Sequence, residues 1–254
     1  MKTREILFGI HPVWEALRAG RRKFFAIHLP EGPIAGRLLQ IRNAAAEAGV
    51  PLVTTSDAKL RALAQNDKHQ GVAAEVSPFP LSAPDILEAP TDRPSFFLAA
   101  DGVTDPRNLG ALIRTALSVG VQAILLPQDR SAPPTPVVSS SSAGALEHIQ
   151  VVSVVNLVRS LIQLKDQGVW IYGLDHAGKQ TCFETDFTGP TLLVVGGEGK
   201  GIRPLVKKTC DLLISIPQEG AVSSLNASVA GAVVMYEAFR QRSARRGEAP
   251  KSGR

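Results

Sequence analysis

Residues 95–127 read SFFLAADGVTDPRNLGALIRTALSVGVQAILLP, and this stretch decides the architecture. SFFLAADGV is rich in strand formers. From Asn108 onward, Leu109, Leu112, Ile113, Ala116 and Leu117 fall at helical spacing, and QAILLP follows as a second strand run. A strand, a helix and a strand within about 30 residues make a βαβ unit, whose crossover sets the strands parallel and lays the helix on one face. Further along, the same alternation predicts a helix over 156–166, strands at WIYGL, TLLVVG and LLISIP, and a long final helix. That helix carries Leu225, Val229, Val233, Tyr236 and Phe239 on one stripe, which serves either the subunit's own core or an interface. The fold class is therefore α/β, with a mostly parallel sheet covered by helices on both faces.

Working outward, residues 77–94 read SPFPLSAPDILEAPTDRP, with prolines at 78, 80, 84, 90 and 94 that remove backbone donors and favour extended chain. This predicts a linker over 78–94, a small domain over 1–77 and a larger one over 95–254. Within the small domain, HPVWEALRAG reads as a helix, FFAIHL as a strand, residues 35–48 as a helix, PLVTT as a strand, DAKLRALAQN as a helix and GVAAEV as a final strand. It too is α/β.

The chain has 254 residues, 44% of them hydrophobic, which is enough for packed cores. No apolar run approaches the roughly 20 residues needed to cross a bilayer, and MKTREILFGIHPVWEAL has charges where a secretory signal would be apolar. A cytoplasmic protein is expected, with no membrane partner. Cys182 and Cys210 lie in no CxxC pair and read as buried thiols. Lys plus Arg number 28 against 23 Asp plus Glu, a net charge of +5 that suits a polyanionic partner. The excess sits in Arg18, Arg21, Arg22 and Lys23, and in Arg240, Arg242, Arg245, Arg246, Lys251 and Arg254 of a terminal segment expected to be mobile beyond Arg242. Charge runs of this kind are usually solvated.

In a parallel α/β sheet, ligands bind where loops leave the carboxyl ends of strands. VVGGEGKGI is neither a Walker A loop, since Val194 and Gly201 replace the required Gly and Ser/Thr, nor a GxGxxG fingerprint, since Ile202 stands at the third glycine. The five histidines, His11, His28, His69, His148 and His176, show no metal-ligand spacing, so no metal site is expected.

Three blocks remain: DGVTDPRNLGALIR (101–114), GGEGKGIRP (196–204) and SIPQEGAVSSLNAS (215–228). In order and together they resemble the three motifs of the SpoU (TrmH-like) ribose 2′-O-methyltransferases of the SPOUT superfamily. FGIHPVWEALRAG with HQGVAAEV is similar to the small N-terminal RNA-binding domain of the subgroup that methylates guanosine in large-subunit ribosomal RNA. The resemblance implies a C-terminal methyltransferase domain with a deep trefoil knot, a topology that periodicity would never suggest. It implies S-adenosylmethionine as cofactor, held by Gly196, Gly197, Ile216 and Leu225, and a homodimer in which Val229, Val233 and Tyr236 pack against the partner. The catalytic positions it implies are Asn108, Arg114, Glu198, Ser224 and Asn226.

Each of these residues also has a plainer reading. Asn108, Ser224 and Asn226 suit helix caps, with Ser223 an alternative cap, and Ile216 and Leu225 suit core packing. Arg114 suits an exposed helix face. A guanidinium stays protonated in proteins, so Arg114 is read as a bidentate clamp on a substrate phosphate, with the ribose proton leaving to phosphate or water. Gly196, Gly197, Gly199 and Gly201 are read as places where a threaded segment leaves room only for hydrogen. Phe24 and Phe25 read as strand core. The function implied is methylation of a guanosine 2′-hydroxyl in 23S-type ribosomal RNA during ribosome biogenesis. The alternatives are a transfer-RNA or resistance-type ribose methyltransferase, and a non-catalytic RNA-binding assembly factor.

Overall fold

The computed structural model describes residues 4–88, 92–220 and 224–247. They form two compact units, one of residues 4–80 and 134–148 and the other of 81–88, 92–133, 149–220 and 224–247. The first unit is built on β1 (Glu5–Phe8), α1 (Ile10–Ala19), β2 (Phe24–Pro30), α2 (Gly36–Glu47), β3 (Leu52–Thr55), α3 (Asp57–Ala64) and β4 (Ala73–Val76). Its sheet has the order β1-β4-β2-β3; only β2 and β3 run parallel. Ile27 and Leu29 from one side of β2 pack with Val13 and Ala16 of α1 and Ile41 and Ala45 of α2. Phe24 joins this core, whereas Phe25 sits at a register shift between Phe24 and Ala26, with the Arg4 guanidinium 4.5 Å from its ring centre. Of the two phenylalanines, only Phe24 fills the core as expected. The strand β1 was not anticipated, being only four residues long.

The second unit contains β5 (Phe96–Asp101), α4 (Pro106–Ser118) and β6 (Ala123–Pro127), the βαβ unit expected from residues 95–127. The chain then departs from the expected domain division, because residues 134–148, with α5 (Pro136–Ser141), belong to the first unit. A buried ion pair explains why. Arg22, whose side chain is wholly buried, donates Nε to Glu147 Oε2 (2.8 Å) and Nη2 to Glu147 Oε1 (3.1 Å). Its Nη1 bonds Glu5 (2.7 Å) and the Ser77 carbonyl (3.1 Å), and Ser139 Oγ bonds Glu147 (2.8 Å). A carboxylate taken fully out of water needs such partners, and only the first unit supplies them. Arg22 is therefore structural and is lost to the basic patch read at residues 18–23.

The remaining elements are β7 (Gln150–Val154), α6 (Leu157–Asp166), β8 (Trp170–Leu174), β9 (Gln180–Thr181), β10 (Thr191–Gly196), α7 (Pro204–Thr209), β11 (Leu212–Ser215) and α8 (Ala227–Arg246). The seven strands are ordered β7-β6-β5-β10-β8-β11-β9 and every pairing is parallel. β5 and β10 are buried throughout and lie flush, Thr191 opposite Phe96 and Gly196 opposite Asp101, so their carboxyl ends open at one level. Leu157, Leu161 and Leu164 of α6 close one side of the core.

The stripe on α8 is not the helix's buried face. Leu225 precedes the helix, Val229 and Tyr236 are about half exposed, and the buried face is Gly231, Val234, Met235, Ala238 and Arg242. Nor does helical order stop at Arg242: its buried guanidinium donates to the carbonyls of Phe187, Pro94, Ser95 and Gly189 and lies over the Phe96 ring. Burial pulls its pKa down to about 10. Residues 248–254 of the expected tail lie outside the described residues, as does Ser223. Cys182 is buried as expected, while Cys210 is partly so, and both are free thiols. No helix among the described residues is long and apolar enough to cross a membrane.

Candidate active site

Three segments meet at the carboxyl ends of β5 and β10. The first is the start of α4. Asp105 is its N-cap, accepting from Arg107 N at 2.8 Å, with Pro106 in the first turn where its missing N–H is no loss. Asn108 is therefore not the cap that its sequence context also allowed. It stands inside the first turn, buried, with its carboxamide free to bond elsewhere.

The second segment is the loop after β10. A Cβ on Gly196 would overlap the backbone of Gly201 and Ile202, and one on Gly197 would overlap the Gly102 carbonyl, so both positions leave room only for hydrogen, as expected. Gly199 and Gly201 have open space around them and instead adopt φ of +75° and +60°. The crowding expected at those two is replaced by a backbone requirement. The loop lifts Glu198 to its exposed tip.

The third segment leads into α8. Asn226 is the N-cap, its Oδ1 accepting from Ser228 N (2.9 Å) and Val229 N (3.3 Å). Its Nδ2 donates to Asn108 Oδ1 (3.0 Å) and Glu198 Oε1 (3.1 Å), and Asn108 Nδ2 donates to the same Glu198 oxygen. Capping and site geometry thus coexist in one side chain. A Cβ on Gly231 would overlap Leu112, so this glycine permits the close approach of α8 to α4 that brings Asn226 to Asn108. A hollow of about 40 Å³ adjoins the cluster, lined by Val103, Thr104, Asp105, Asn108, Glu198 and Ala227.

The cluster resembles an open hand more than a core network. Glu198 Oε1 is doubly bonded, while Oε2 has no bond among the described residues. Two carboxamides aimed at one carboxylate oxygen fix its orientation without neutralising it. Among the described residues, no group of three or more His, Cys, Asp or Glu is placed to hold a metal ion.

The SpoU rRNA Methylase family matches residues 95–236, and the RNA 2′-O ribose methyltransferase substrate-binding domain matches residues 6–82. The chain belongs to the SpoU rRNA methylase family. A 23S rRNA (guanosine-2′-O-)-methyltransferase RlmB of Pseudomonas putida is 41% identical over 250 residues, covering 97% of this chain and 100% of its own. The RlmB of Shewanella oneidensis is 41% identical over 247 residues, covering 95% and 99%. The SpoU methyltransferase AviRb of Streptomyces viridochromogenes, solved in complex with AdoMet, has a TM-score of 0.81 at 26% identity, covering 94% of this chain and 90% of that one.

Within this SpoU chain, Asn108, Glu198 and Asn226 come together and the other two expected catalytic residues do not join them. Arg114 lies six residues beyond Asn108 on α4, about 9 Å along the axis and a third of a turn round. It is exposed, and its side chain has no hydrogen bond or ion pair among the described residues. Ser224 is exposed and likewise unbonded. Of the residues expected to hold the cofactor, Gly196 and Gly197 form the tight turn. Ile216 is half-buried just after β11, and Leu225 is 39% exposed, so neither is fully used as core. Sequence reading missed Asp105 as the cap of α4, although Asp-Pro ahead of an amphipathic run is a recognisable start signal. It also gave no role to Asp101.

Proposed function

We propose that this chain is an S-adenosylmethionine-dependent methyltransferase acting on the 2′-hydroxyl of a guanosine ribose in 23S-type ribosomal RNA, in the cytoplasm, as part of ribosome biogenesis. The observation that carries it is the convergence of Asn108, Glu198 and Asn226 from three separate blocks at one end of a parallel sheet. The substrate follows from near-full-length similarity to the RlmB enzymes and from the substrate-binding match at residues 6–82.

The residues present suit the cofactor. Gly196 and Gly197 offer bare backbone, and Ile216 and Leu225 each keep apolar surface uncovered, the two kinds of surface that read a purine edge while excluding water. When bound, S-adenosylmethionine supplies a sulfonium methyl group open to in-line attack. The chain's own task is alignment. Asn108 and Asn226 hold Glu198 in one rotamer, leaving its Oε2 to receive a hydrogen bond from substrate, and Ser224 adds a hydroxyl from the same strand of chain. Arg114, exposed and uncommitted, clamps a phosphate of the RNA bidentately, and the ribose proton passes to phosphate or water.

The half-exposed Val229 and Tyr236 on α8, with Tyr236 edge-on to Phe239, support a homodimer through this helix. The match of the SpoU rRNA Methylase family to residues 95–236 supports the knotted topology expected of the family. The test is to incubate purified protein with labelled S-adenosylmethionine and, separately, 23S ribosomal RNA and transfer RNA, then map alkali-resistant ribose positions. One methylated guanosine in the 23S RNA is expected. Label confined to transfer RNA, or no label with either, contradicts the proposal.

A further inference from the structure

The loop that carries Glu198 is anchored at a point that none of the expected site residues occupies. Asp101 is the last residue of β5 and is wholly buried. Its carbonyl accepts from Gly197 N at 2.9 Å, at the start of the loop. Its carboxylate holds the end of the same loop: Oδ2 accepts from Arg203 N at 2.8 Å and Oδ1 from Arg203 Nε at 2.6 Å. Between these anchors the loop closes on itself, Gly201 N donating to the Gly197 carbonyl at 3.0 Å. One residue therefore fixes both feet of a turn whose tip is Glu198. Arg203 is also the residue before α7, where Pro204 begins the helix, so its backbone direction is set there as well.

We propose that Asp101 is a positioning residue for methyl transfer, acting through Arg203 and the loop 197–203 to set Glu198 against Asn108 and Asn226. This rests on the reading of Glu198 as part of the transfer site. A charge with no exposure held by a guanidinium is a poor source of net stability, since desolvation offsets most of the attraction, yet it specifies one arrangement of the chain when both of its oxygens are committed. Here the arrangement specified is the one that brings a distant carboxylate to two carboxamides. Reorienting a reacting group by about 1 Å can lower a rate by about 100-fold, so a clamp on the loop bears directly on turnover.

The test is a double-mutant cycle on the full chain between Asp101→Asn and Glu198→Gln, reading kcat and KM for methyl transfer to 23S ribosomal RNA, with thermal midpoint as control. Asp101→Asn keeps an acceptor for the Arg203 N–H and removes the charge, and the partly exposed Arg203 side chain turns to water. The expected result is a loss of about 10- to 100-fold in kcat/KM, mostly in kcat, that nearly disappears when Glu198 is already Gln. Arg203→Lys keeps a cation beside Asp101 without the Nε bond and should lose less; it carries the same cycle if Asp101→Asn does not fold. Near-native turnover of both variants, or losses that multiply with that of Glu198→Gln, overturns the proposal. Native turnover of Glu198→Gln alone would instead remove the site reading on which it rests.

Discussion

Two polar clusters in this molecule join residues far apart in sequence, and they differ in how completely they are closed. In the first unit, Arg22, Glu147, Glu5 and Ser139 are tied by bonds of 2.7 to 3.1 Å, and Arg22 and Glu147 have no exposed side-chain surface. In the second unit, Asn108, Glu198 and Asn226 are bonded to one another, yet Glu198 and Asn226 are exposed and Glu198 keeps an oxygen uncommitted. The closed cluster has no capacity left for a ligand, so its work is folding. The open one is held together just enough to aim a carboxylate, which is what a site requires.

The largest expected effect breaks the closed cluster. Glu147→Ala strands the buried Arg22 charge and should lower the stability of the first unit by about 3–5 kcal/mol, read by urea denaturation. A loss under 1 kcal/mol would show that the pair is no more than incidental. Next, Asn226→Ala removes both a cap and the carboxamide that orients Glu198. Methyl transfer should fall about 100-fold while stability falls by about 0.5–2 kcal/mol. Asn226→Asp sharpens the division, restoring the cap acceptor but setting a second carboxylate against Glu198, so stability should recover and turnover should not.

A smaller effect is expected of Gly231→Ala, which forces Leu112 aside and separates α4 from α8, at about 1–3 kcal/mol. Activity should drop with it, because the same contact sets the spacing of Asn108 and Asn226. The smallest concerns Cys210, whose thiol burial pushes up to about 12. Above pH about 9 the unfolded thiol ionises while the folded one keeps its proton, so stability should decline by about 1 kcal/mol per pH unit. Cys210→Ala should flatten that decline.

How much of this was legible in the sequence depended on whether the signal was local. The βαβ unit at residues 95–127 and the three loop blocks are contiguous, and they led to the sheet and to Asn108, Glu198 and Asn226. The strand β7, QVVSV, was missed beside a loop, and β1 and β9 are too short to carry a period. At α8 the apolar stripe reads equally as core or interface; its Val229 and Tyr236 are exposed, and the buried face sets Val234, Met235 and Ala238 beside Gly231 and Arg242. Periodicity alone does not separate those two roles, because the buried face mixes apolar Val234 and Met235 with small residues and one desolvated guanidinium. Arg22 and Arg242 read as surface charge because most of their partners lie far off in sequence, Glu147 125 residues from Arg22 and four backbone carbonyls 53 to 148 residues from Arg242. Asp101 stood in plain view within a motif, but its link to Arg203 exists only after folding.

The central claim is that the meeting of three chain segments at Asn108 aims a carboxylate for methyl transfer to ribose. Its most direct test is single-turnover transfer from labelled S-adenosylmethionine to 23S ribosomal RNA by Asn108→Ala, beside a thermal melt. The account predicts a rate at least about 100-fold lower with a midpoint within a few degrees of the native chain. A native rate, or a loss matched by unfolding, would contradict it.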